Sequence, residues 1–120
     1  RIYVKPIQAI LRAYRTKKVI HGMAHITGSG LPGNVPRALP SNVDAVLHLN
    51  RWERPPIFDL IQQAGKVSGA EMMRVFNMGI GMILIVSVGS SDLVAGSLRS
   101  RGETCHRLGE LVPGDGVTLT

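Results

Sequence analysis

Apolar positions recur along this chain with two spacings, and the switches between them mark out the predicted elements. Ile7, Ile10, Leu11 and Tyr14 fall at i, i+3, i+4 and i+7, with Gln8, Arg12 and Arg15 between them, which gives a helix one apolar face. Pro6 stands where such a helix opens, and Ile2–Val4 ahead of it reads as a short strand. The apolar content of residues 19–27 predicts a buried strand. Residues 44–49 and 82–88 read as two more. Pro55 and Pro56 open a second helix with a stripe of Ile57, Leu60, Ile61 and Ala64, and Gly65 is expected just past its end. Ser68 and Glu71 have capping-box spacing, so a further helix is expected to run to Arg74. Ser91 or Asp92 is expected to cap a weaker helix interrupted by Gly96. Residues 105–112 and 117–120 are predicted to pair as a hairpin through Pro113-Gly114-Asp115-Gly116.

Strands and helices thus interleave from end to end, which predicts an α+β fold, a mixed sheet with helices packed on it. The 120 residues make room for a single domain, 1–120. Hydrophobic residues at 44% and charged ones at 18% argue for one core and against disorder. No segment approaches the roughly 20 apolar residues that cross a bilayer, and the best candidate, residues 80–88, reads as a buried strand. No membrane association is therefore predicted. A formal charge of +6 favours anionic partners. The basic residues are dispersed, apart from Arg12, Arg15, Lys17 and Lys18, and only five aromatics are present, so nucleic acid is not the expected ligand. The lone Cys105 can form no intramolecular disulfide, and a cytoplasmic setting is expected.

The candidate chemistry lies in residues 24–40, where an apolar run breaks into glycines and then reaches an arginine. Gly28, Ser29 and Gly30 can turn backbone N–H groups outward. Asn34 is expected to cap a short helix carrying Arg37, whose guanidinium fork would help hold a phosphate or carboxylate. His25 and Thr27, at the end of the strand, are the candidate catalytic polar groups. The plain alternative is an ordinary tight turn. Asn77, Gly79 and Gly81 form a second polar and glycine-rich junction, and Asn77 is expected to tie it to the first. His21 and His25 share a strand face, but no third and fourth ligand has metal spacing, so no metal site is predicted. Hydrolase-elbow, Walker A, dinucleotide and kinase signatures are all missing.

Ala24 to Pro40, Phe76-Asn77-Met78-Gly79-Ile80-Gly81-Met82, the opening Arg1-Ile2-Tyr3-Val4-Lys5 and Gly102-Glu103 occur in an order that resembles the C-terminal domain of aminoimidazole ribonucleotide synthetase. That family is also called phosphoribosylformylglycinamidine cyclo-ligase. The chain departs from the family's usual pattern at Ser29 (glycine), Gly33 (glutamate) and Val75 (threonine). The resemblance implies a three-layer domain lacking its first strand and helix, with an ATP-binding domain upstream. It further implies ATP-dependent ring closure of formylglycinamidine ribonucleotide in purine synthesis, ATP and Mg held mainly by that upstream domain, and a homodimeric parent. Substrate would be held by Gly28, Ser29, Gly30, Asn34, Arg37 and Asn77, with His25 and Thr27 beside it, and the fragment alone would be inactive. Two alternatives stay open. One is a related ATP-using enzyme of the same scaffold, such as selenophosphate synthetase or thiamine phosphate kinase. The other is a non-catalytic anion-binding or assembly module.

Overall fold

In the computed structural model, which describes residues 2–120, the first helix begins earlier than expected. Helix α1 spans Val4–Ala13, and the strand expected at Ile2–Val4 does not form. The Ile7 N–H donates to the Tyr3 carbonyl at 3.0 Å, closing a first turn that accommodates Pro6, because N–H groups there have no intrahelical acceptor to lose. Strand β1 (Ile20–His25) follows, then helix α2 (Gly30–Asn34), a 3-10 turn at Val35–Ala38 and strand β2 (Val43–Leu47). Helices α3 (Pro56–Gly65) and α4 (Gly69–Val75) come next. Strand β3 (Met82–Val86), helix α5 (Ser91–Arg99) and strands β4 (Gly109–Pro113) and β5 (Gly116–Leu119) complete the order. This is an α+β fold.

The chain divides into two compact units, residues 1–23 with 84–107 and residues 24–83 with 108–120. In the first, α1 packs on α5, and Ile10, Val19, Val94 and Leu98 form the core with Tyr14 and Cys105 at its margin. In the second, Ile26, Leu31, Val35, Leu47, Met72 and Met78 are buried together. The methionines thus serve as adaptable core filler. Helix α3 is rotated from expectation. Of the predicted stripe, Ile61 packs on the second core together with Phe58, while Ile57 and Leu60 face out and are exposed. Gly65 is the last helical residue, and Lys66 takes the left-handed position at φ 53°. Ser68 caps α4 as expected, accepting from the Glu71 N–H at 3.2 Å. Neither Ser91 nor Asp92 caps α5: Ser90 occupies that position with no side-chain bond, and the Ser91 hydroxyl donates to the Val88 carbonyl.

Strands β1 and β3 are neighbours in a two-stranded sheet, and the other sheet has the order β4-β2-β5. The predicted hairpin is therefore absent, because β2 lies between its two arms, antiparallel to β4 and parallel to β5. The sheet is mixed for that reason. Val43 pairs with Pro113 and Asp44 with Gly116, so Gly114 and Asp115 cross over the start of β2. Three Cα–Cα steps reach at most about 11 Å, enough to span two interstrand spacings of about 9.6 Å. Glycine permits the crossing: a Cβ at Gly114 would lie 2.8 Å from the Asp44 Cβ, and the Gly114 N–H donates to Asn42. Inside β2, Asp44 is buried and its Oδ2 accepts from the Thr118 hydroxyl at 2.7 Å.

Candidate functional site

The glycine loop after β1 is built from its glycines outward, and it lies wholly within the second unit. Ser29 adopts φ 81° and Gly30 φ 57°, two successive left-handed residues that turn the chain into α2. Gly28 and Ser29 are exposed and Gly30 is buried. A Cβ at Gly30 would lie 2.1 Å from the Met73 carbonyl oxygen and 2.7 Å from that of Phe76. The loop therefore rests against the C-terminal end of α4, immediately before Asn77. A side chain at position 30 would force the two apart.

Asn34 holds the loop from within. It is 4% exposed, and its amide Nδ2 donates to the carbonyls of Gly30 at 2.8 Å, Gly28 at 3.0 Å and Thr27 at 3.3 Å. Its Oδ1 accepts from the Thr27 hydroxyl at 3.4 Å. This differs from the expected helix cap, since no side-chain cap bond forms at the 3-10 turn. Three carbonyls converging from one side attract the amide more strongly than a single N–H from the next turn could. These carbonyls are thus taken up by the buried Asn34 amide. Among the described residues, the Gly28 and Ser29 N–H groups donate to no backbone carbonyl, whereas that of Gly30 is bonded to Thr27.

Gly33 completes the turn. Its N–H donates to the Ser29 carbonyl at 3.0 Å, and a Cβ there would lie 2.3 Å from the Ser29 Cβ. Positions 29 and 33 therefore do not both have room for a side chain. Arg37 is exposed on the 3-10 turn and makes no hydrogen bond or ion pair with the described residues. His25 is exposed at the end of β1, and Thr27 is exposed two residues on.

The structure thus joins Thr27, Gly28, Gly30 and Asn34 in one hydrogen-bonded group, with Ser29 at its tip. Asn77 closes its own turn: its Oδ1 accepts from the Gly79 N–H at 2.9 Å, and its carbonyl accepts from Ile80. The two glycine-rich junctions meet through Gly30 and the α4 carbonyls, where the sequence reading had assigned the link to Asn77. Trp52 is a supporting residue that the pattern did not single out. It is buried and its Nε1–H donates to the Met78 carbonyl at 3.0 Å, which pins the left-handed Met78. The signal for it was the presence of one tryptophan three residues before Pro55-Pro56, and Pro55 packs on Gly79.

Backbone amides left unbonded on such a turn can hold an anion by donation. For a metal the turn offers little. Among the described residues, no three His, Cys, Asp or Glu side chains converge in a way that could hold a metal ion. No described helix is long and apolar enough to cross a membrane.

The chain matches the family described as AIR synthase related protein, C-terminal domain, over residues 1–120. It is 47% identical over 121 residues to a phosphoribosylformylglycinamidine cyclo-ligase of Bordetella avium, and 50% identical over 121 residues to that of Bordetella pertussis. A Bacillus cereus protein of the same name is 45% identical over 119 residues. These alignments take in 99 to 100% of this chain but 33 to 34% of each relative. The chain thus spans about a third of the length of the curated relatives it matches.

Proposed function

Since the chain belongs to the family of AIR synthase related proteins, as their C-terminal domain, we propose that it forms part of an ATP-dependent cyclo-ligase. Its reaction would be closure of formylglycinamidine ribonucleotide to aminoimidazole ribonucleotide in purine synthesis. The observation that carries the reading is 45 to 50% identity, over essentially all of the chain, to proteins named phosphoribosylformylglycinamidine cyclo-ligase. In this reading the parent is a cytoplasmic homodimer. ATP and magnesium are held mainly by the rest of it.

The part assigned to this chain is substrate capture. The Gly28 and Ser29 amides and the Arg37 guanidinium would receive the ribonucleotide phosphate, with charge-assisted bonds from the arginine. Thr27 and His25 would face the remainder of the substrate, and the buried Asn34 and the turn at Asn77 would hold the loop in shape. Such preorganised donors orient the reacting groups at no cost of rearrangement during the reaction.

The test is calorimetric titration of the chain with formylglycinamidine ribonucleotide and with ribose 5-phosphate. The nucleotide is expected to bind more tightly. Arg37→Ala should weaken it by about 1.5–3 kcal/mol, roughly 10- to 150-fold. Equal weak binding of both ligands, or an unchanged affinity in Arg37→Ala, would remove the loop from the site. An assay of imidazole formation by the longer protein carrying this domain tests the activity itself. Folded protein that binds the nucleotide yet gives no product would favour the non-catalytic module.

A further inference from the structure

Charge is distributed unequally between the two units. The first holds nine Lys and Arg against two Asp and Glu, a net +7, and the second holds five against six, a net −1. The basic excess of the chain is therefore confined to the unit that lacks the glycine loop. Within it, residues 1–23 contain six basic residues and no acidic one. Arg12, Arg15, Lys17 and Lys18 are all exposed, and none of their side chains makes a hydrogen bond or ion pair with the described residues.

These charges border an apolar stripe. Ile7, Ile10 and Tyr14 turn inward, and Ile10 is fully buried against the α5 side of the core. On the outer face Val4, Gln8, Leu11 and Arg12 recur at helical spacing, with Val4 57% and Leu11 43% exposed. Exposed apolar groups along one helix face, with unpaired charge gathered at the end of that helix, suit a protein-docking surface. Phosphate backbones would use the charge and leave Val4 and Leu11 unsatisfied. The unit's two tyrosines, Tyr3 and Tyr14, are both half-buried, which leaves the imidazoles of His21 and His106 as the exposed rings among its described residues, a smaller platform for base stacking than a tyrosine or tryptophan would give. Unpaired like charges repel one another, and an acidic partner relieves that repulsion as it docks.

We infer that the outer face of α1, with the basic turn after it, docks an acidic amphipathic segment of a protein partner. Glutamates or aspartates of the partner meet Arg12, Arg15, Lys17 and Lys18, and its apolar residues cover Val4 and Leu11.

Fluorescence anisotropy tests this with three labelled probes: an acidic peptide with leucines at helical spacing, the same peptide with those leucines replaced by glutamine, and a short DNA duplex. The leucine peptide should bind the chain most tightly, and its affinity should fall as salt rises. The combined change Arg12→Glu, Arg15→Glu, Lys17→Glu and Lys18→Glu should lower its affinity at least about tenfold. Leu11→Asn, a mild change at an exposed site, should lower it several-fold while leaving the salt dependence unchanged. Arg54→Glu with Lys66→Glu, in the other unit, should leave it unaltered. Tighter binding of the duplex would mark the face as a nucleic-acid surface and overturn the inference. Equal binding of the two peptides, no binding, or an equal loss in the Arg54/Lys66 variant would also overturn it.

Discussion

Positions 29 and 33 compete for one volume, so the stability effects of changing them should not add. Taken alone, Gly33→Ala places a Cβ inside α2, where alanine is favoured over glycine by about 0.5–1 kcal/mol. That Cβ would meet the Ser29 Cβ at 2.3 Å. Overpacking of this kind costs about 1–3 kcal/mol, so the single substitution should destabilise. With Ser29→Gly already in place the obstruction is gone, and Gly33→Ala should stabilise by the helical preference alone. Ser29→Gly by itself relieves a left-handed serine, worth about 1–2 kcal/mol, but loosens the unfolded chain by about 0.4–1 kcal/mol, leaving a small gain. The expected coupling is about 1–3 kcal/mol. Urea unfolding of the four variants measures it, followed by the fluorescence of Trp52. That residue is the only tryptophan and is buried in the core that includes Leu31 and Val35. A cycle that closes within about 0.5 kcal/mol, the scatter of independent sites, would refute the shared volume and the loop geometry from which it follows.

Other substitutions probe the neighbouring contacts. Gly30→Ala meets two carbonyl oxygens from a left-handed position and should cost about 2–5 kcal/mol in the same unfolding assay. Gly28→Ala, with nothing within 4 Å, should stay within about 1 kcal/mol of the parent. Asn34→Ala removes the side-chain donor shared by the Thr27, Gly28 and Gly30 carbonyls and should cost about 1–3 kcal/mol, with faster amide exchange in residues 28–31. Trp52→Phe retains most of the apolar contact but loses the bond to Met78; a loss of about 1–2 kcal/mol by thermal unfolding is expected. Burial pushes the Cys105 thiol above its ordinary range, against the opposing pull of Arg99 and with the help of Glu103. Less thiolate is then present near neutral pH, so iodoacetamide should label native protein more slowly than urea-unfolded protein at about pH 8. The difference should shrink as pH rises through the raised value, and equal rates at the lower pH would contradict it.

What the sequence made legible depended on local physics. The α4 cap at Ser68 depends on residues three apart, and the chain ends of α3 and β3 are marked by proline and glycine nearby. The glycine loop was readable as a turn because Gly28-Ser29-Gly30 offered the conformational freedom, and the family resemblance rested on several ordered motifs of which this loop is one. Features set by distant neighbours were not legible. Nothing within residues 105–120 reveals that β2, more than sixty residues earlier, inserts between β4 and β5. The outward turn of Ile57 and Leu60 depends on which face the core offers to α3, and periodicity alone does not choose between faces. Asn34 looks like a cap in sequence. Its role as the clasp of three carbonyls depends on the curvature imposed by Ser29 and Gly30.

The strand order β4-β2-β5 has a consequence for how the chain is made. As the polypeptide leaves the ribosome, β2 emerges with neither lateral neighbour, and both arrive only with residues 109–119. Until then its backbone donors and acceptors present two open edges, each a template for pairing with another chain. The second unit therefore closes after the first, and its completion waits on the emergence of residues 109–119. Proteins cut short by even a few residues before Leu119 would keep the glycine loop in their sequence yet lose the strand that anchors the core behind it.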